Sequence, residues 1–385
     1  MKTSANWLLT MLVVIGSAAT AQQPCSGPPK RSVIDWAQFR FEPCHTGFNP
    51  YEVILSPSTV GNLVVDWRYA TGDAVLSSPA VVNGVVFVGS QDDNVYALNA
   101  STGAKLWSFT TQGSVHSSPA VANGVVYVGS DDNNVYALNA STGAKLWSYS
   151  TGGYVHSSPA VSNGVVYVGS EDNNVYALNA STGANLWSFS TGNYVDSSPA
   201  VFNGVVYVGS FDRNVYALNA STGARLWSYM TGAPVGSSPA VANGVVYVGS
   251  LDGNLYALNA STGAKLWSFR SEFDYYVGCS AAVANGVVYF HVELSDHAFY
   301  ALNAQTGAVL WSFDDFGGIS SPAVANGVVY VGNSLGIWAL DASTGANVWL
   351  YPDFQDDESS PIIANGVLYV GSRDNNLYAF HLLNH

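Results

Sequence analysis

His116, His156, Asp196 and Glu358 first suggest chemistry in this chain, because each stands immediately before a Ser-Ser pair in a recurrent phrase. Imidazoles and carboxylates at equivalent positions could ligate a transition metal. No two of them share a strand at ligand-type spacing, so the sequence alone assigns no metal. A second group, His291, Glu293, Asp296 and His297 in "FHVELSDH", falls where one copy of the phrase is longer than the others. A lengthened turn there is either a functional insertion or the decay of a repeat. "GNSLG" (332–336) has the letters of a hydrolase nucleophile elbow, but that motif works only between a strand and a helix, and here strands flank it. The Asp-x-Asn of "SDDNN" lacks the glycine and distal glutamate of a calcium loop. It reads as a turn that hydrogen-bonds its own backbone.

The elements that must position these residues come from a repeat. Ser-Ser recurs at Ser77, Ser117, Ser157, Ser197 and Ser237, then drifts to Cys279-Ser280, Ser320-Ser321 and Ser359-Ser360, making eight units with a period near forty. That period with several short strands per unit is a propeller signature. In the second unit, strands are expected over 119–122, 125–128, 135–138 and 145–149. Asn123-Gly124, "SDDN" and "NASTGA" form the turns between them. Small residues suit a first strand near the axis. Trp107, Trp147, Trp187, Trp227, Trp267, Trp311 and Trp349 fall on the outer strands and read as packing. The last unit lacks its outer strand, and "NLVVDWRYATG" (62–72) matches that missing piece. The expectation is an all-β, eight-bladed propeller of four-stranded antiparallel blades, closed by the N-terminal strand so that no sheet edge is left open.

Composition narrows the partners. Twelve basic against 26 acidic residues give a net charge of −14, which disfavours nucleic acid and anionic membrane surfaces. Lys2, the apolar run "WLLTMLVVIG" (7–16) and Ala19-Thr20-Ala21 read as a cleavable export signal, too short to span a bilayer. The expected segments are a signal peptide (1–21), an N-terminal extension (22–61) and the propeller (62–385). The protein would be exported to a periplasmic or extracellular space, with no membrane span after cleavage, as a monomer. In an oxidising compartment Cys25 and Cys44, close in sequence, could pair, leaving Cys279 over.

The unit "VYVGSDDNNVYALNASTGAKLW" resembles the repeat of the pyrroloquinoline-quinone-type propellers, whose blades end in Ala-x-Asp/Asn-x-x-Thr-Gly-x-x-x-Trp. "WAQFRFEPCHTGFNP" (36–50) resembles the segment that precedes such propellers. The resemblance implies the ring. It admits both quinoprotein dehydrogenases and non-catalytic members such as the outer-membrane-assembly lipoprotein. The dehydrogenases clamp their quinone against a disulfide of adjacent cysteines and add calcium and a catalytic aspartate. This chain has no adjacent cysteines, so the resemblance makes the quinone a possibility and the expectation is no cofactor.

Strand alternation sends the Asn-Gly and "NASTGA" turns to one end of the ring, and the "GSDDNN" turns and inter-blade links to the other. The first end hardly varies, with Asn-Gly in all eight units. The second changes blade by blade and carries aromatic and acidic residues. As a binding face it would use His116, Tyr154, His156, Tyr194, Asp196, Tyr275, His291 and Glu358. The expected function is non-enzymatic binding of a small ligand or protein. The alternatives are a quinone- or metal-dependent oxidoreductase and an envelope assembly scaffold.

Overall fold

The computed structural model describes residues 35–270, 276–292, 298–313, 320–333, 335–352 and 358–383. Eight antiparallel sheets of four strands form an eight-bladed propeller. In blade two the strands are Ala120–Ala122, Val125–Gly129, Asn134–Asn139 and Lys145–Ser150, in that order from the axis outward. Asn123 (φ 52°) and Gly124 (φ 78°) both take the positive φ that a two-residue hairpin between right-twisted strands needs. Leu63–Ala70 pairs with Asn376–Leu382 as the outer strand of blade eight, closing the ring as expected.

Blades are fastened to each other by tryptophan. The indole N–H of Trp107 donates to the carbonyl of Ala140 in the next blade at 2.9 Å. Its ring lies over Gly143 (φ 72°), where a Cβ would fall 2.7 Å from the ring carbon Cε3. The closing seam uses the same joint: Trp67 donates to Ala100 O (3.0 Å) and Trp349 to Leu63 O (3.2 Å).

The serine pairs explain themselves in two parts. The hydroxyl of the first serine accepts the N–H of the glycine ending the second strand, as Ser117 does from Gly129 at 3.0 Å. Cys279 keeps this role with its sulfur, which lies 3.4 Å from the His291 nitrogen. The second serines form a closed circle. Each backbone N–H donates to the serine hydroxyl of the next blade, from Ser78 through Ser118, Ser158, Ser198, Ser238, Ser280, Ser321 and Ser360 back to Ser78, at 2.9–3.2 Å. A hydroxyl is needed there because these groups are buried and must be paired.

Residues 36–49 run around the inside of the ring. The first strand of each blade has a free edge toward the axis, and an unpaired buried N–H is costly. Backbone carbonyls of the extension accept those N–H groups in turn: Trp36 from Val81, Ala37 from Val121, Pro43 from Val201, Cys44 from Val241, Thr46 from Val283 and Gly47 from Val324, at 2.6–2.9 Å. The Gln38 side chain takes Val161 (3.0 Å), and the Asn49 amide donates to Ile363 O (2.8 Å), so all eight blades are engaged. Phe48–Asn49 adds a fifth, parallel strand to blade seven. Arg40 is buried and spends its two terminal nitrogens on Pro322 O and Ala281 O, each at 2.6 Å. Gly47 (φ 63°) is held close above it, where a Cβ would meet Arg40 Nη2 at 2.5 Å.

Cys44 is disulfide-bonded and Cys279 is a buried thiol. Cys25, the expected partner, lies outside the described residues, as do the signal segment and Tyr275, Glu293, Asp296 and His297. No described helix is long and apolar enough to cross a membrane. A thiol assay on unfolded, unreduced protein is expected to find one reactive group. Three would show that Cys44 is not oxidised in the mature protein.

Candidate functional site

The extension stoppers the channel, and the Ser-Ser end is left as a funnel of about 290 Å3. Its lining includes Phe39 from the extension, seven of the eight serines of the circle, and His116, His156, Asp196 and Glu358. The fold thus brings four of the expected residues to one mouth, although they come from different blades.

His116 and His156 have ring centroids 4.9 Å apart. Asp131, the residue after Gly-Ser in blade two, sits between them, with Oδ2 3.5 Å from His116 Nε2 and Oδ1 3.0 Å from His156 Nε2. The other nitrogen of His156, Nδ1, faces Glu171 Oε1 at 3.2 Å. The ligand atoms of Asp196, His156 and Glu171 lie within 4.8 Å of one another, and Asp196 Oδ1 is buried with no hydrogen-bond partner among the described residues. Burial, opposed by His156 and aided by Glu171, pushes the Asp196 pKa up to about 6. Burial also lowers the His116 pKa, with Asp131 opposing and His156 adding. At His156 burial acts downward too, but the carboxylates of Asp131, Asp196 and Glu171 outweigh it and hold the pKa above the ordinary histidine value.

The aromatic rim residues sit beside this cluster. Tyr154 is 49% exposed, with its ring 5.9 Å from that of His156. Tyr194 stacks on Phe211 with centroids 4.2 Å apart. Glu358 pairs with Arg373 at 2.6 Å. His291 is set apart from the mouth. It ends the second strand of blade six, where other blades carry the glycine of Gly-Ser, and it is fully buried with Nε2 2.9 Å from Ser320 O. Sequence reasoning placed it in a turn because the Gly-Ser landmark is missing there.

Asp131 and Glu171 follow Gly-Ser in turns that differ from blade to blade, and nothing local in the sequence marks them as partners of the histidines. That link is a between-blade contact no local pattern encodes. Phe39 gave no signal. In the "SDDNN" turn, Asp132 accepts from Gln112 N–H (2.9 Å), Asn134 N–H (3.0 Å) and Tyr136 O–H (2.6 Å), so its oxygens are used in tying the link to the blade.

Fold and mouth together define an eight-bladed propeller of the pyrroloquinoline-quinone repeat type, open at its variable end. Residues 61–171, 151–237 and 295–384 match the family model described as outer membrane protein assembly factor BamB, and the chain belongs to that repeat family. Three solved structures resemble it. BamB from Moraxella catarrhalis has a TM-score of 0.71 at 19% identity, over 83% of this chain and 99% of that one. Quinohemoprotein alcohol dehydrogenase ADHIIG from Pseudomonas putida HK5 has a TM-score of 0.75 at 17% identity, over 91% and 80%. A europium-containing methanol dehydrogenase has a TM-score of 0.78 at 15% identity, over 90% and 98%. No curated protein matches this chain. At these identities the likeness establishes the ring, and the neighbours include both enzymes and an assembly factor.

The residues do not fit pyrroloquinoline quinone. The quinone is a tricarboxylate, and the mouth presents Asp131, Asp196, Glu171 and Glu358. The nearby arginines are committed, Arg40 to backbone carbonyls beneath the floor and Arg373 to Glu358. Cys279 is a single thiol, without an adjacent cysteine to form the clamping disulfide.

Proposed function

We propose that this protein is an exported, non-catalytic binding propeller that takes a protein partner or small ligand at the mouth and rim built from the inter-blade links. The observation that carries the reading is the stopper. The chain's own residues 36–49 occupy the channel, and the open funnel is the end at which the repeat changes from blade to blade. Tyr154, at 49% exposure, and Tyr276, at 44%, are large aromatic side chains left in solvent at that rim. Such side chains serve as anchors in interfaces. The match to a family model named for an assembly factor supports a protein partner over a small metabolite.

The test is site-specific photo-crosslinking in the envelope of a producing cell. A crosslinker at position 154 or 194 is expected to give a discrete adduct, and one at Asn123, on the opposite end, is expected to give none. Adducts from position 123 would defeat the reading, and adducts from none of the three would defeat the protein partner. Added quinone with calcium is expected to leave the melting temperature unchanged. A shift of several degrees would restore the oxidoreductase alternative.

A further inference from the structure

We propose that His116, His156 and Asp131 form a divalent transition-metal site in the funnel mouth, best matched to zinc, with Glu171 orienting His156 from behind. The inference rests on the reading of the mouth as the working face and adds a ligand of defined chemistry to it.

Spacing is the first argument. A tetrahedral ion with bonds of about 2.0–2.1 Å holds its ligand atoms about 3.3 Å apart. Asp131 Oδ1 lies 3.0 Å from His156 Nε2 and its Oδ2 lies 3.5 Å from His116 Nε2, and one ligand atom from each of the three residues lies within 4.8 Å of the other two. Among the described residues Asp131 Oδ1 has no partner other than the adjacent His156, so it has acceptor capacity left to give.

A metal-bound histidine characteristically donates its other ring N–H to a carboxylate, which fixes the tautomer and the ring plane. His156 Nδ1 faces Glu171 Oε1 at 3.2 Å while Nε2 points to the cluster. A histidine held only as a surface ion pair needs no second carboxylate. His381, which among the described residues pairs with Asp66 and no second carboxylate, at 3.1 Å, is an example in this chain. Two imidazoles and one carboxylate suit zinc and its neighbours rather than calcium or magnesium. Three protein ligands leave the fourth position for water, for the Gln91 amide now 3.3 Å from His116 Nε2, or for a donor from a bound partner.

The experiment is calorimetric titration of the full chain with zinc ion, together with cobalt(II) absorption. One zinc per chain is expected, and cobalt(II) is expected to show the intense visible bands of a tetrahedral site. His156→Ala, His116→Ala and Asp131→Asn should each weaken zinc at least 100-fold, while His381→Ala leaves it unchanged. Glu171→Ala should weaken it about 10–100-fold with the cobalt bands kept, and Glu171→Gln, which retains an acceptor for Nδ1–H, should recover most of the loss. Absence of uptake by the native chain overturns the site without any variant. Uptake unchanged in His156→Ala, or abolished in His381→Ala, also overturns it. The crosslinks at positions 154 and 194 are read separately, so a missing metal and a missing partner remain distinct results.

Discussion

A chain lacking residues 62–70 will not yield a soluble monomer. The segment supplies the outer strand of the last blade, paired with Asn376–Leu382 from Leu63↔Leu382 to Ala70↔Asn376. Its loss bares that strand's hydrogen-bonding edge and takes cover from the buried Tyr378 and Phe380, the conditions under which sheet edges associate. It also removes both indole joints of the seam, Trp67 to Ala100 and Trp349 to Leu63. Size-exclusion chromatography is expected to show aggregate in place of monomer. The milder Trp67→Ala should fold with a loss of about 3–5 kcal/mol, since it empties a largely buried indole site. A soluble, monomeric deletion with native melting would show that ring closure does not depend on this strand.

Stability should fall as the pH drops below about 6.5, by up to about 1.4 kcal/mol per pH unit through His45. His45 is buried in the stopper, with neither ring nitrogen hydrogen-bonded among the described residues, its ring edge-on to Phe39 at 5.5 Å and the Arg40 charge nearby. Burial first and Arg40 second lower its pKa to about 3. The unfolded chain therefore takes up a proton below about 6.5 that the folded chain refuses until near 3. The stabilisation is complete above that window and is lost as the pH falls through it. His116 contributes in the same sense and His156 in the opposite one, so the raw slope mixes all three. His45→Phe, which keeps the aromatic contact, isolates the effect. Urea denaturation of native and variant proteins from pH 7 to pH 4 should give curves that diverge as the pH falls. Parallel curves would place His45 in contact with solvent. Below pH 4 a further loss is expected in both, because Asp92, Asp132, Asp212 and Asp252 are held below the ordinary aspartate pKa. Burial opposes that shift, but turn hydrogen bonds outweigh it.

The ring was legible in the sequence because each blade repeats its own instructions. Asn-Gly turns, the tryptophan with its docking glycine, and the matching piece at 62–72 are local patterns tied to local geometry. The Ser-Ser pair was visible as a landmark, but its circle of hydrogen bonds links residues about forty apart and becomes evident only when the blades are in place. The stopper was hidden for the opposite reason. It occurs once, has no period, and Arg40 (φ 60°), Phe41 (φ 79°) and His45 (φ 57°) take backbone angles that their residue types do not announce. At the mouth, His116, His156 and Asp196 could be aligned by register. Their joining to Asp131 and Glu171 depends on the distance between neighbouring blades, which the sequence does not state. His291 misled because it replaces a glycine, and with the landmark gone a buried strand end looked like part of a turn.

The stopper makes the variable end of the ring the open one. Backbone amide exchange at Val81, Val121, Val201, Val241, Val283 and Val324 tests it directly. In the full chain these inner-strand N–H groups donate to carbonyls of residues 36–47 and are expected to be strongly protected. In a variant whose residues 36–49 are replaced by a glycine-serine stretch of equal length, with the closing strand kept, protection should be lost at these positions. It should persist at Val126 and Val206, whose second strands are paired within the blade. Rapid exchange of the six groups in the native protein, or protection unchanged by the replacement, would contradict the account.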